Sequence, residues 1–116
     1  MKRGDVVLAS YPFASGAGSS RRPALIVQSD AYNQKISNTI IAQITSNLTR
    51  KGDPAHVFIE AESPEGKQAG MLYDSLVSCN NLATVDARRI NRVIGSLSDD
   101  LMKQDDICLK VALGLQ

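Results

Sequence analysis

Apolar residues in this chain fall in short clusters separated by polar stretches containing Gly, Pro, Ser and Asn, the spacing of successive short strands. Gly4-Asp5-Val6-Val7-Leu8-Ala9-Ser10-Tyr11, closed by Pro12, predicts the first. Its apolar residues do not alternate, so burial on both faces is expected. A second strand runs from about Ala24 to Gln28, and a third from Asn38 to Asn47 turns polar at its end. His56-Val57-Phe58-Ile59-Glu60 alternates, with Val57 and Ile59 on one face and His56, Phe58 and Glu60 on the other. Gly70 to Cys79 reads as a longer strand. Asp74 within it is a carboxylate among apolar neighbours and calls for a hydrogen bond. Residues 83–86 and 89–95 fit either strands or helical turns.

Between these runs, Ser29-Asp30-Ala31-Tyr32-Asn33 offers side-chain oxygens that start a turn or short helix. Residues 13–20, 48–54 and 61–69 read as loops, the second basic through Arg50 and Lys51. Only the C-terminal end is clearly helical. Ser98 is an N-cap candidate, Asp99 and Asp100 place negative charge in the first turn, and Gly114 falls at the stop. Leu101, Cys108, Ala112 and Leu115 fall on one face, which predicts a helix packed on the sheet.

Length and charge narrow the class. With 116 residues the chain is one domain, 1–116, and 43% apolar with 22% charged residues is a globular composition. A net charge of +1 means that a polyanionic partner would have to be held by a local basic patch. No apolar run reaches the length of a membrane span, and Met1-Lys2-Arg3 leads straight into a strand, so a cytoplasmic protein without membrane contact is expected. Cys79 and Cys108 lack metal-site spacing and read as buried free thiols.

Candidate chemistry concentrates at Arg21-Arg22-Pro23-Ala24-Leu25-Ile26-Val27, where guanidinium groups precede a buried strand. A rigid strand lets Arg22 meet a ligand from a fixed base. Thr45 and Ser46 end the third strand; they read as an exit capped by Asn47 or as hydroxyls for a phosphate oxygen. His56 is the only histidine, so any imidazole acid or base is this one; at a strand start it reads more simply as a surface residue. There is no P-loop, HExxH or GxSxG, which removes most metal and cofactor enzymes. Arginine with hydroxyls suits a phosphodiester. RNA brings its own nucleophile in the 2′-OH, and its cleavage would need neither metal nor protein nucleophile.

Gly4-Asp5-Val6-Val7, Tyr11-Pro12-Phe13, Arg21 to Val27, Ile44-Thr45-Ser46-Asn47, Gly70 with Asp74-Ser75, Thr84 to Ile90 and Ile94-Gly95-Ser96-Leu97-Ser98 occur in the order found in the MazF/PemK toxins, which the chain resembles over nearly its whole length. The resemblance implies a mainly β fold, an SH3-like, CcdB/MazF-like β-barrel with a C-terminal α-helix, forming a homodimer. It implies the toxin of a toxin–antitoxin system: a metal- and cofactor-independent endoribonuclease that cuts single-stranded RNA at short sequences, leaving 2′,3′-cyclic phosphate and 5′-hydroxyl ends. A cognate antitoxin with a flexible acidic and apolar tail would cover the RNA groove. By position, Arg22 and Thr45 match the catalytic pair, and Arg21, Ser46, Asn47, His56 and Asn81 are the candidate RNA contacts. Relatives often carry charged residues at Leu72 and Tyr73 and an arginine at Ala83, so the cleavage sequence does not transfer. The rival reading is a non-catalytic toxin of the same fold that binds a protein such as DNA gyrase.

Overall fold

Strand β1 (Asp5–Ser10) shows why its apolar residues do not alternate: Val6 packs into one hydrophobic cluster and Val7 into another, and both are fully buried. The computed structural model describes residues 1–10 and 21–116; the motif at Tyr11-Pro12-Phe13 and the loop expected at 13–20 lie outside them. β2 (Arg21–Ile26), β3 (Asn38–Thr45), β4 (His56–Ile59), β5 (Ser75–Asp86) and β6 (Ile90–Ser96) complete an antiparallel sheet ordered β4-β5-β3-β2-β1-β6. Helices α1 (Asp30–Lys35), α2 (Pro64–Gln68) and α3 (Asp99–Leu113) are added to it.

One cluster gathers Val6, Leu25, Ala42, Ile44, Val57, Ile59, Val77 and Cys79 beneath Leu101 and Cys108 of α3. The other joins Val7, Ala9, Ala24, Ile26, Ile41 and Val85. Central strands covered on both sides are stiff supports for whatever stands at their ends.

α3 carries the expected caps. Ser98 Oγ accepts the Leu101 N–H at 3.2 Å, and Gly114, at φ +69°, lets the Leu115 N–H reach the Lys110 carbonyl at 2.8 Å. Leu101 and Cys108 are buried and Ala112 packs beside them, but Leu115 is exposed, because the left-handed residue before it turns the chain off the helix face. Arg3 pins this helix to the sheet. Its N–H donates to Asp30 Oδ1 at 2.7 Å, Nε to the Val27 carbonyl at 2.9 Å, and Nη2 to Asp106 Oδ1 at 2.6 Å.

Three expectations are corrected. The second strand starts at Arg21, because Arg21 and Arg22 pair with Ser10 and Ala9. The polar stretch 61–69 contains α2, started by Pro64 and by Ser63, whose Oγ accepts the Gly66 N–H at 3.0 Å. The strand expected from Gly70 begins only at Ser75, and it continues through residues 83–86. Gly70, at φ +76°, turns the chain, and Asp74 uses Oδ1 to accept the Ala61 N–H at 2.9 Å. Residues 87–89 then form a 3₁₀ turn into β6.

Gly70 and Gly95 let the segment after α2 lie directly on β6. A Cβ on Gly70 would fall 2.4 Å from the Ile94 carbonyl oxygen, and one on Gly95 would fall 2.4 Å from that of Gln68. Both cysteines are free and buried. Cys79 Sγ donates to Asp105 Oδ1 at 3.2 Å, while Oδ2 of this fully buried carboxyl has no hydrogen-bond partner. Burial raises the Asp105 pKa above the usual carboxylate range, outweighing the thiol and Arg3, which act the other way.

Two outcomes are expected. A carboxyl whose folded pKa is raised stabilises below its unfolded value and loses that contribution as pH rises through the folded one. Thermal unfolding followed upward from about pH 4 should show wild-type stability falling, with the slope reduced in Asp105→Asn; parallel profiles would refute the assignment. Gly70→Ala, strained in both φ and space, should cost about 2 kcal/mol in urea unfolding, and a loss under about 0.5 kcal/mol would contradict the close approach.

Candidate functional site

β2 and β3 are joined by Ala24 opposite Gln43, Leu25 opposite Ala42 and Ile26 opposite Ile41. Continued by two residues, that register sets Arg22 opposite Thr45 on one face of the sheet. Pro23 lies between Arg22 and the buried run, holding its own φ and restricting Arg22 to extended backbone. Both Arg22 and Thr45 line a cleft of about 360 Å³, with Ser46 at its edge and Leu8, Ile44, Met71, Leu72 and Tyr73 forming apolar walls.

The Arg22 side chain is exposed and makes no ion pair or hydrogen bond among the described residues. Its charge is therefore available to an anion. Thr45 Oγ1 accepts the Asn47 N–H at 3.1 Å, which leaves the hydroxyl proton free to donate outward. The expected strand exit and the expected phosphate hydroxyl are thus compatible: the backbone bond orients the oxygen that faces the cleft.

A second cleft, about 390 Å³, adjoins the first and is lined by Thr45, Asn47, Thr49, Arg50, His56, Leu76, Ser78, Asn80 and Asn81. Among the described residues Thr45 is the one that lines both. Of the seven residues proposed from sequence, Arg22, Thr45 and Ser46 meet in the apolar cleft, and Thr45 meets Asn47, His56 and Asn81 in the polar one. Arg21 lines neither; it pairs with Ser10 on β1. Asn47 Oδ1 is occupied by the Thr49 N–H at 3.0 Å and the Thr49 hydroxyl at 2.6 Å, and this fixes its amide.

His56 is not the surface residue expected of a strand start. Its side chain is only 3% exposed, enclosed between Asp53 and Ser78. Nε2 lies 3.0 Å from Ser78 Oγ, and Nδ1 lies 3.3 Å from Asp53 Oδ1, within ion-pair distance but off the line of a hydrogen bond. The Ala55 N–H, followed by the His56 ring, holds the Asp53 carboxyl below its ordinary pKa. Ser78 Oγ also donates to Asn80 Oδ1 at 2.9 Å and accepts from Asn81 Nδ2 at 2.8 Å.

Ser78, Asn80, Thr49 and Asp53 are site residues that the sequence does not single out, and Arg50 reads from it only as part of a basic loop. The signal was the polar run Asn80-Asn81 after Leu76-Val77-Ser78-Cys79, which interrupts a strand. β5 makes a large irregularity there: Ala42 of β3 faces Leu82, and the next residue, Gln43, faces Ser78. Bulges re-aim side chains, and this one turns Asn80 and Asn81 out to the cleft with Ser78 buried at its base.

Charge elsewhere is partly spent. Arg88, one of a basic cluster at 88–92, is held by Asp86 through Nε and Nη2, each at 3.1 Å. Lys51 stands over the Phe58 ring, 4.0 Å from its centroid. No helix among the described residues is long and apolar enough to cross a membrane.

Comparison with known proteins places the chain by sequence and by fold. The chain is 32% identical over 116 residues to endoribonuclease EndoA of Bacillus subtilis strain 168, spanning 99% of this chain and 96% of the relative. Its fold matches the Mycobacterium tuberculosis toxin MazF-mt6, with a TM-score of 0.76 at 23% identity over 97% of this chain and 98% of that one. It also matches a mycobacterial endoribonuclease solved in complex with its cognate antitoxin, with a TM-score of 0.78 at 22% identity over 100% and 97% of the two chains. A Deinococcus radiodurans MazE–MazF structure gives 0.74 at 22% identity over 100% and 98%. A family model described as PemK-like, MazF-like toxin of type II toxin–antitoxin system matches residues 2–113, and the chain belongs to that family.

Proposed function

We propose that this toxin is a metal-independent endoribonuclease that cleaves single-stranded messenger RNA in the cytoplasm and so arrests translation and growth. The observation that carries the reading is the Arg22 guanidinium, without a partner among the described residues, lining the same cleft as the Thr45 hydroxyl, which stands where two clefts meet. The ribose 2′-OH attacks the adjacent phosphorus, the bond to the 5′-oxygen of the next nucleotide breaks, and the products carry a 2′,3′-cyclic phosphate and a 5′-hydroxyl. Negative charge grows on the phosphoryl oxygens during that attack. Arg22 stabilises it, and the outward-facing Thr45 hydroxyl orients the phosphate. Guanidinium groups keep their charge, which makes Arg22 a charge stabiliser rather than a proton carrier.

RNA on either side of the scissile phosphate would occupy both clefts. Ser46 contacts it in one, Asn47 and Asn81 in the other, and Arg21 holds the backbone beyond them. His56 contributes from behind the cleft wall. The apolar cleft suits the acidic and apolar tail of an antitoxin, since Leu72 and Tyr73 are exposed beside Arg22. Homodimerisation has a surface available in the exposed Ile107, Val111 and Leu115 of the α3 end.

Purified protein should cut single-stranded RNA in EDTA, and Arg22→Ala should cut at least about 100-fold more slowly. RNA left intact on long incubation, with DNA gyrase inhibited instead, would overturn the proposal. Binding of a non-cleavable single strand should weaken with salt, and Arg22→Ala should reduce the slope of log affinity against log salt by about 0.7; an unchanged slope would place Arg22 away from the phosphates.

A further inference from the structure

Among the described residues Arg50 is the one arginine or lysine that lines the polar cleft, and no carboxylate lines it. The residue is exposed, and its guanidinium makes no ion pair or hydrogen bond among the described residues. The turn beneath it is closely tied. Asn47 Oδ1 holds the Thr49 N–H and hydroxyl, the Lys51 N–H donates to the Leu48 carbonyl at 2.9 Å, and the Asp53 N–H donates to that of Arg50 itself at 3.0 Å. Such a turn presents a long side chain from a fixed base.

The charges nearest to it in the chain have other duties. Asp53 Oδ1 accepts the Ala55 N–H at 2.8 Å and is the same oxygen that lies 3.3 Å from the His56 ring. Lys51 stands over Phe58 and lines neither of the two clefts. Arg50 is thus the cation that an anion entering here would meet. The same cleft also carries a complementary pair of amide groups. Ser78 engages Asn80 Oδ1 and Asn81 Nδ2, which leaves Asn80 Nδ2 as a donor and Asn81 Oδ1 as an acceptor for a base edge. A phosphate and a base are the two ends of one nucleotide.

We propose that the polar cleft is a nucleotide subsite beside the scissile phosphate, in which Arg50 grips the flanking phosphate while Asn80 and Asn81 meet the base. Thr45 lines both clefts, so a strand crossing it has Arg22 in one and Arg50 in the other. The two arginines have different tasks. Arg22 meets a phosphate whose negative charge grows during attack, and its contribution is largest in the transition state. Arg50 meets a diester that the reaction leaves unchanged, so it holds ground state and transition state equally. Arg50 is therefore a binding residue, and its loss belongs in KM rather than in kcat.

The place of this subsite beside a scissile phosphate rests on the ribonuclease reading, whereas the phosphate grip requires only that a single strand binds. The test uses one cleavable RNA and the same strand with an uncharged methylphosphonate at the phosphate on either side of the scissile one. On the unmodified strand Arg50→Ala should raise KM about 10-fold and keep kcat within about 2-fold. Wild type should lose about 10-fold in kcat/KM when one of the two flanking phosphates is neutral, and Arg50→Ala should lose no more than about 2-fold at that same position. Lys51→Ala removes an equal charge from the same turn and should keep both KM and the methylphosphonate effect within about 2-fold of wild type. Losses that multiply at both flanks, or an equal loss from Lys51→Ala, overturn the contact. On an all-2′-deoxy strand, which has no internal nucleophile, Arg50→Ala should lower the slope of log affinity against log salt by about 0.7. An unchanged slope overturns the grip whether or not RNA is cut. RNA left uncut while that slope falls refutes the ribonuclease reading and supports the grip, and a wild type that binds no single strand overturns both.

Discussion

The ladder between β2 and β3 is where packing becomes chemistry. Leu25 and Ala42 belong to the cluster under α3, Ile26 and Ile41 to the cluster on the other face, and the two strands face each other in register. Slipping by one residue would move every one of these side chains into the wrong cluster. Because that slip is forbidden, Arg22 and Thr45, each two residues beyond the last pair of the ladder, are brought to the same cleft without any bond between them. Among the described residues the guanidinium has no ion pair or hydrogen bond, and the hydroxyl is oriented by the Asn47 N–H. Catalysis would then draw on rigidity established far from the phosphate.

The polar cleft follows another logic. Its wall is the irregular part of β5, which sends Asn80 and Asn81 outward over the buried Ser78 and His56. One cleft thus places fixed charge beside an apolar wall, while the other offers side-chain amides turned outward by the irregularity of β5. Thr45 is their common member, and a strand of RNA crossing it would have its scissile phosphate in one and its neighbouring base in the other.

What was legible in the sequence was mostly local. The caps of α3 at Ser98 and Gly114 and the two-sided burial of Val6-Val7 need only nearby residues to be read. The start of β5 is not legible, because Gly70 turns the chain and Asp74 bonds Ala61, and neither effect follows from composition. β2 gained Arg21 and Arg22 from pairing with β1, and the helix in the polar stretch after β4 was hidden by a charged composition despite its Ser63-Pro64 start. The burial of His56 is not legible in the sequence because it depends on Ser78, which only the fold brings to it. Arg22 and Thr45 were readable as a pair through the family resemblance; Ser78 and Asn80 were not, since a bulge sets their direction.

The central claim, that Arg22 and Thr45 act together on one phosphate, is tested most directly by a double-mutant cycle on RNA cleavage. Arg22→Ala, Thr45→Val and the double variant are compared by kcat/KM on one single-stranded substrate. Residues that act as a unit lose less together than the sum of their separate losses. The double variant should therefore be no more than a few-fold slower than Arg22→Ala alone. Losses that multiply in full would mean independent tasks, and would contradict the pairing that the β2–β3 register implies.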